Sequence, residues 1–162
     1  MSEIDRRLKR IESERAIERL IYGYGRILDF GDPDEYVAQF TEHAVLEIQG
    51  AFRNLFNVGT QPYESEGLAV GGERTAHGIA FRGREALRRF AARSASPVRS
   101  AHVVSQPLVE LTAPDQGCAA SYMRVYSQEC GKAIALQAFG RYLDRFELTP
   151  SGWLFSHRIC EV

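Results

Sequence analysis

Ile4, Leu8, Ile11, Ala16, Ile17, Leu20, Ile21, Tyr24, Ile27 and Leu28 recur at helical spacing, with Arg, Glu and Lys on the other side. That pattern predicts one long amphipathic helix over roughly residues 3–30. Gly31 suits a left-handed cap at its end. Asp32-Pro33-Asp34-Glu35 then predicts a restart, with Asp32 as N-cap, Pro33 at the first helical position and Glu35 closing a capping-box-like pattern. This second helix is short, ending near Thr41, and faces Tyr36, Val37 and Phe40 inward. Ala44–Gln49 reads as a strand. From Gly50 to Ala76 glycines are scattered, Pro62 interrupts and the apolar positions lose their period. So long a loop in a compact domain is usually functional, and it is expected to be a lid or an interface arm that has room for a short helix. Gly78–Arg82 reads as a short strand. Gly83-Arg84-Glu85-Ala86-Leu87 opens a third helix with Ala86, Leu87, Phe90 and Ala91 as its apolar face.

The second half of the chain changes to period two. His102–Thr112 has β-branched content and ends at the turn Pro114-Asp115-Gln116-Gly117. In Cys118–Gln128, Tyr122, Arg124 and Tyr126 fall on one side and Ser121, Met123 and Val125 on the other. Glu129–Lys132 is a turn around Gly131, Ala133–Leu148 a long strand, and Thr149-Pro150-Ser151-Gly152 leads into Trp153–Glu161. Helices first and a four-strand antiparallel meander last indicate one α+β domain over residues 1–162, without internal repeats.

Composition narrows the function classes. At 162 residues the chain is large enough for a substantial core. A formal net charge of −1 argues against a general nucleic-acid binder, which would normally carry a basic excess. The arginines of the stretch Arg82–Arg93 read as the solvated face of a helix. Cys118, Cys130 and Cys160 lack a CxxC spacing and read as free thiols, neither a disulfide frame nor a zinc site. No apolar run approaches the ~18 residues of a membrane span. The start of the chain is charged from Glu3 onward and lacks a signal-peptide core, so a cytoplasmic protein is expected.

Candidate chemistry centres on Asp29, in Ile27-Leu28-Asp29-Phe30-Gly31, and His102, in Ser100-Ala101-His102-Val103-Val104. A carboxylate orienting an imidazole is the smallest side-chain set that moves a proton near neutral pH. Asp29 sits in the last helical turn, where the macrodipole disfavours an anion by ~0.3–1 kcal/mol, and on the helical wheel it lies beside Gly25. It reads either as a solvated helix end or as a pocket-facing acid with a His partner. His102 taken alone reads more readily as a satisfied core or edge residue than as a catalytic one. Among the tyrosines, Tyr24 is the best candidate to donate to a substrate oxygen. His43 reads as a local cap, His77 as a residue beside the long loop within reach of a pocket, and His157 as structural or solvent-facing. No HxH, HxxxH or HExxH spacing points to a metal. Gly23-Tyr24-Gly25 inside a helix permits close approach of another backbone or space for a ligand.

Several of these pieces, taken in order, resemble a known family. The helix ending Tyr24…Leu28-Asp29-Phe30-Gly31-Asp32, then Phe40-Thr41-Glu42-His43-Ala44, resembles the opening of SnoaL-like proteins of the NTF2-like superfamily. Gly83-Arg84-Glu85-Ala86-Leu87 looks like their third helix and Ser100-Ala101-His102 like their (Thr/Ser)-x-His strand start. Gly140-Arg141-Tyr142-Leu143-Asp144 and Gly152-Trp153-Leu154-Phe155 look like their last two strands. The resemblance implies a cone, a curved antiparallel sheet wrapped by three helices from the N-terminal half, with a mostly apolar pocket. Its nearest branches are the scytalone dehydratase-like and hexachlorocyclohexane dehydrochlorinase-like members. They imply a cofactor-independent Asp–His dyad at Asp29 and His102, acting as a dehydratase, dehydrohalogenase or isomerase on a small cyclic or aromatic-like substrate. Tyr24 is expected beside the dyad, and Met123, Val125 and Phe139 as pocket wall. The further His that scytalone dehydratase carries on the following strand has no counterpart here, where Tyr126, Ser127, Gln128 and Glu129 stand. Two alternatives share the fold, a non-catalytic small-ligand-binding protein and the structural small subunit of an aromatic-ring dioxygenase. An exposed sheet face normally needs cover, so a homodimer or homotrimer is expected.

Overall fold

Helix α1 spans Glu3–Phe30, opened by Ser2, whose hydroxyl accepts from the Asp5 amide while the Asp5 carboxylate accepts from the Ser2 amide. In the computed structural model, residues 2–50, 71–92 and 99–162 are described. Most of the segment expected to form a lid or arm therefore lies outside the described residues. Only the second half of α1 packs inward: Ile17, Ile21, Tyr24 and Gly25 are buried, whereas Ile4, Leu8 and Ile11 are exposed despite sharing the same stripe.

Gly31 caps α1, but not in the left-handed conformation expected. Its backbone is extended, with φ −85° and ψ 177°, and its amide donates to Ile27 O at 2.8 Å. Glycine is required there for closeness: a Cβ would stand 2.7 Å from Ile27 O and 2.8 Å from Glu35 Oε2. Helix α2, Pro33–Ala38, starts as expected, with Asp32 Oδ1 accepting from the Asp34 and Glu35 amides at 2.8 Å each. It stops three residues before Thr41, and strand β1 begins at once, Phe40–Gln49. His43 accordingly lies exposed within a strand and caps nothing.

The remaining elements are β2 (Glu73–Arg74), β3 (Gly78–Arg82), α3 (Gly83–Ala92), β4 (Arg99–Ala113), β5 (Gln116–Gln128), β6 (Ala135–Thr149) and β7 (Gly152–Glu161). They form a curved, unclosed sheet in the order β2-β3-β1-β7-β6-β5-β4. The meander β4 to β7 is antiparallel as expected, but β1 joins it by pairing parallel to β7. Helix α3 buries Ala86, Leu87, Phe90 and Ala91, the four residues of its apolar stripe. Its arginines are used locally: Arg84 donates to Phe40 O at 3.0 and 2.6 Å, Arg88 pairs with Asp34, and Arg89 with Glu85 at 3.0 Å.

On β5, Ser121, Met123 and Val125 face the core, as their alternation predicts. Across the sheet, Ala138, Tyr142, Asp144 and Phe146 of β6 continue that face. Phe139 does not. It is 62% exposed and lies on the outer face with Tyr122, because Gly140 pairs with Met123 and Phe139 with the outward Arg124. A shift of one residue in strand phase exchanges the faces, so Phe139 is removed from the inner wall.

Candidate active site

The end of α1 and the start of β4 meet at Gly25. A Cβ there would stand 2.4 Å from His102 O and 3.0 Å from His102 Cβ, so only glycine lets helix and strand approach this closely. One turn further on, Asp29 shares the same helix face as Gly25 and meets the strand. Its carboxylate accepts three hydrogen bonds. Ser100 Oγ donates to Oδ1 at 2.9 Å, the His102 amide donates to Oδ2 at 2.6 Å, and His102 Nδ1 lies 2.6 Å from Oδ1. Ser100 and His102 are two apart on one strand and so present both side chains to the same face.

These donors answer the electrostatic problem that the sequence posed. The last turn of α1 holds no basic residue, and the Asp29 side chain is only 3% exposed. A buried carboxylate is tolerated when its lone pairs are filled, and β4 fills them. An ionised carboxylate can only accept, so Nδ1 of a neutral His102 carries the proton and Nε2 is left with an open lone pair. The His102 side chain remains 18% exposed, and among the described residues Nε2 has no hydrogen-bond partner. The expected pairing of Asp29 with His102 is therefore present, and the arrangement can accept a proton at Nε2.

Tyr24 occupies a different place from the one expected. It is 2% exposed, and its hydroxyl is shared with Tyr36 Oη at 3.1 Å. Its ring packs against Phe40, Tyr142 and Phe155. Burial raises its pKa, the Arg158 charge and the Tyr36 bond pulling back in part, so it is a neutral phenol at pH 7. It stands five residues before Asp29, about 7.5 Å along the helix. Met123 and Val125 are buried on the inner face, and Val125 pairs with His102 itself. Val125 thus lies beside the dyad, and Met123 lies one inward position further along β5. His77 is exposed, in the turn between β2 and β3.

Arg158, beside His157 on β7, is not singled out by the sequence pattern. It is wholly buried, its Nε and Nη2 donating to the two carboxylate oxygens of Asp144 at 2.7 Å each. The guanidinium lies 3.9 Å from the Tyr24 ring centre, 4.0 Å from Tyr142 and 4.2 Å from Phe155. Burial acts against its charge, and Asp144 together with Tyr24 and Tyr142 more than offsets this, holding the pKa above the ordinary arginine value. This pair ties β6 to β7 beneath α1.

A hollow of about 730 Å³ lies away from the dyad, lined by outward-facing Leu108, Ala120, Leu143 and Ile159 with Glu110 and Arg145. It contains neither Asp29 nor His102. His157, also at this hollow, has Nε2 3.2 Å from Glu47 Oε1 without hydrogen-bonding geometry. Among the described residues no group of three or more His, Cys, Asp or Glu could hold a metal. None of the described helices is long and apolar enough to cross a membrane.

Comparisons with known structures agree with this architecture. An NTF2-like protein with a cystatin-like fold from Novosphingobium aromaticivorans superimposes with a TM-score of 0.73 at 18% identity, covering 98% of this chain and 87% of that one. A candidate scytalone dehydratase from the same organism gives 0.67 at 18% identity, covering 93% and 84%. The beta subunit of a candidate aromatic-ring-hydroxylating dioxygenase, again from that organism, gives 0.66 at 19% identity, covering 91% and 87%. No curated protein sequence is a significant match. At these identities the structures establish the fold alone. The SnoaL-like domain model matches residues 9–159, nearly the whole chain, and so the chain belongs to the SnoaL-like family of the NTF2-like superfamily.

Proposed function

We propose that the chain is a small, cofactor-independent acid/base enzyme of the dehydratase, dehydrohalogenase or isomerase type, acting on a cyclic or aromatic-like substrate. The observation that carries this reading is the Asp29 carboxylate bonded to His102 Nδ1 at 2.6 Å, with Nε2 open. In the dehydration form of the reaction, Nε2 takes a proton from the carbon next to a carbonyl. The C–H electron pair becomes the new double bond as the β-hydroxyl leaves, and the imidazolium returns its proton to that hydroxyl as water. In the halide form the proton is released to solvent, and in the isomerase form it returns to a second carbon. Asp29, bonded to Nδ1, stabilises the imidazolium. Met123 and Val125 supply apolar wall, and Tyr24 supports the floor through its aromatic contacts.

The experiment is proton exchange of 2-tetralone, a bicyclic ketone with acidic α-protons, in deuterated water, followed by NMR. The reading expects exchange above the buffer rate that His102→Ala abolishes and Asp29→Asn reduces by ~10²–10⁴-fold. Equal rates for wild type and both variants would leave the non-catalytic readings, a ligand-binding cone or the small subunit of a ring dioxygenase, as the better account. The outer sheet face exposes Val103, Leu108, Tyr122, Leu136 and Phe139 at 43–77%. A patch of that kind marks a contact surface, and we assign it to a homo-oligomer, a dimer or a trimer.

A further inference from the structure

We infer that Ser100 is a positioning residue of the dyad, fixing through Asp29 the direction in which His102 presents Nε2; this rests on the acid/base reading above. Asp29 Oδ1 takes two donors, the Ser100 hydroxyl at 2.9 Å and His102 Nδ1 at 2.6 Å, while Oδ2 takes the His102 amide at 2.6 Å. With two donors, the His102 amide and Nδ1, the carboxylate can still pivot about the axis joining them. The third donor, arriving from the preceding inward position of the strand, removes that freedom. The plane of the carboxylate, and with it the imidazole it holds, is then set by β4 itself.

The hydroxyl has no competing role in the described structure. Ser100 is half-buried, and its one described side-chain hydrogen bond is the one to Asp29. Ala101, between the two gripping residues, points the other way and is exposed. The triplet Ser100-Ala101-His102 is thereby a unit: two side chains and one backbone amide closing on a single buried acid. A base whose lone pair must meet a carbon-bound proton depends on such orientation, since a 1 Å misplacement costs on the order of 10²-fold in rate.

Three variants test this, Ser100→Ala, Ser100→Thr and Asp29→Asn, with two readouts. The first is the solvent-exchange protection of the His102 Nδ1 proton by NMR of the free protein, which needs no substrate. The second is 2-tetralone proton exchange, resolved into kcat and KM. Ser100→Ala is expected to remove the protection and to lower kcat about tenfold, the effect of one hydrogen bond to a charged group, with KM unchanged. Ser100→Thr keeps the hydroxyl and is expected to restore both to within about twofold. A Ser100→Ala protein that keeps a protected Nδ1 proton and full kcat would overturn the positioning role. Absence of any protected Nδ1 proton in the wild type would instead overturn the dyad reading itself.

Discussion

Substituting Gly25 and Gly23 separately tests how the helix delivers Asp29 to the strand. At Gly25 an added Cβ would meet His102 O at 2.4 Å, His102 Cβ at 3.0 Å and His102 C at 3.2 Å. An ordinary carbon–oxygen contact is about 3.3 Å, so α1 and β4 must part by roughly 1 Å. The obstructing atoms are largely backbone and cannot swing aside. Because Asp29 lies one turn along the same face, that displacement stretches the 2.6 Å bonds to His102 beyond hydrogen-bonding range. Overpacking of this kind costs about 1–3 kcal/mol, against which Gly→Ala in a helix returns about 1 kcal/mol. Losing bonds to a buried carboxylate adds about 1.5–3 kcal/mol. Gly25→Ala is therefore expected to lose about 1.5–5 kcal/mol in urea unfolding and to lose the protected His102 Nδ1 proton. Gly23 has nothing within 4 Å of its added Cβ, so Gly23→Ala is expected to gain about 1 kcal/mol. A Gly25→Ala protein as stable as wild type, with the imidazole signal intact, would refute the claim that this glycine sets the site.

Other outcomes follow from the interior and the surface. Asp144→Ala leaves the fully buried Arg158 guanidinium without its counter-charge and should cost about 3–5 kcal/mol by urea denaturation, while Asp144→Leu combined with Arg158→Met should be less damaging than Asp144→Ala alone; a double variant worse than the single one contradicts this. Burial pushes the Cys160 thiol up to about 12 from its ordinary 9.0. The unfolded chain therefore releases this proton first. Stability should be full below pH 9 and fall as pH rises toward 12, by on the order of 1 kcal/mol at pH 10. Tyr36 and Tyr142, also raised by burial, add to the loss above pH 10, and a constant urea midpoint from pH 8 to 10.5 would contradict it. Tyr122→Lys combined with Phe139→Lys on the outer face should shift the sedimenting species to a monomer at micromolar concentration. Unchanged sedimentation of an oligomer would move the interface elsewhere.

The helices and the Asp32 cap are legible in the sequence because their signals are local, whereas the conformation of Gly31 and the early end of α2 are not. The Asp32 cap and, separately, the Gly83 entry with the apolar face of α3 are each written in residues that lie within a few turns of one another along the chain. Partner choice is not local, and nothing near β1 announces that it pairs parallel to β7. Strand phase is legible only until a bulge interrupts it. Trp153 and Phe155 point inward, but the register slips between Phe155 and His157, so Arg158 and Cys160 take the inner face and His157 the outer. An unbroken alternation gives the reverse, and Arg158 stays hidden from it. The same happens on β4, where His102 and Val104 face inward, then the slip around Gln106, with φ 53°, transfers the inner face to Val109 and Leu111. The contact between Asp29 and His102 is legible because both residues lie outside these slips, near an element's end. Ser100 was visible as part of a motif, but its bond to Asp29 depends on how closely Gly25 lets the helix approach. Tyr24 lies too deep in the aromatic interior for a wheel diagram to tell it from a pocket residue.

The most direct test of the central claim is the tautomer of His102, read from the nitrogen-15 shifts of its ring in the wild-type protein at a pH where the imidazole is neutral. The account predicts a protonated Nδ1 held against Asp29 and a bare Nε2. A neutral ring protonated at Nε2 would contradict it.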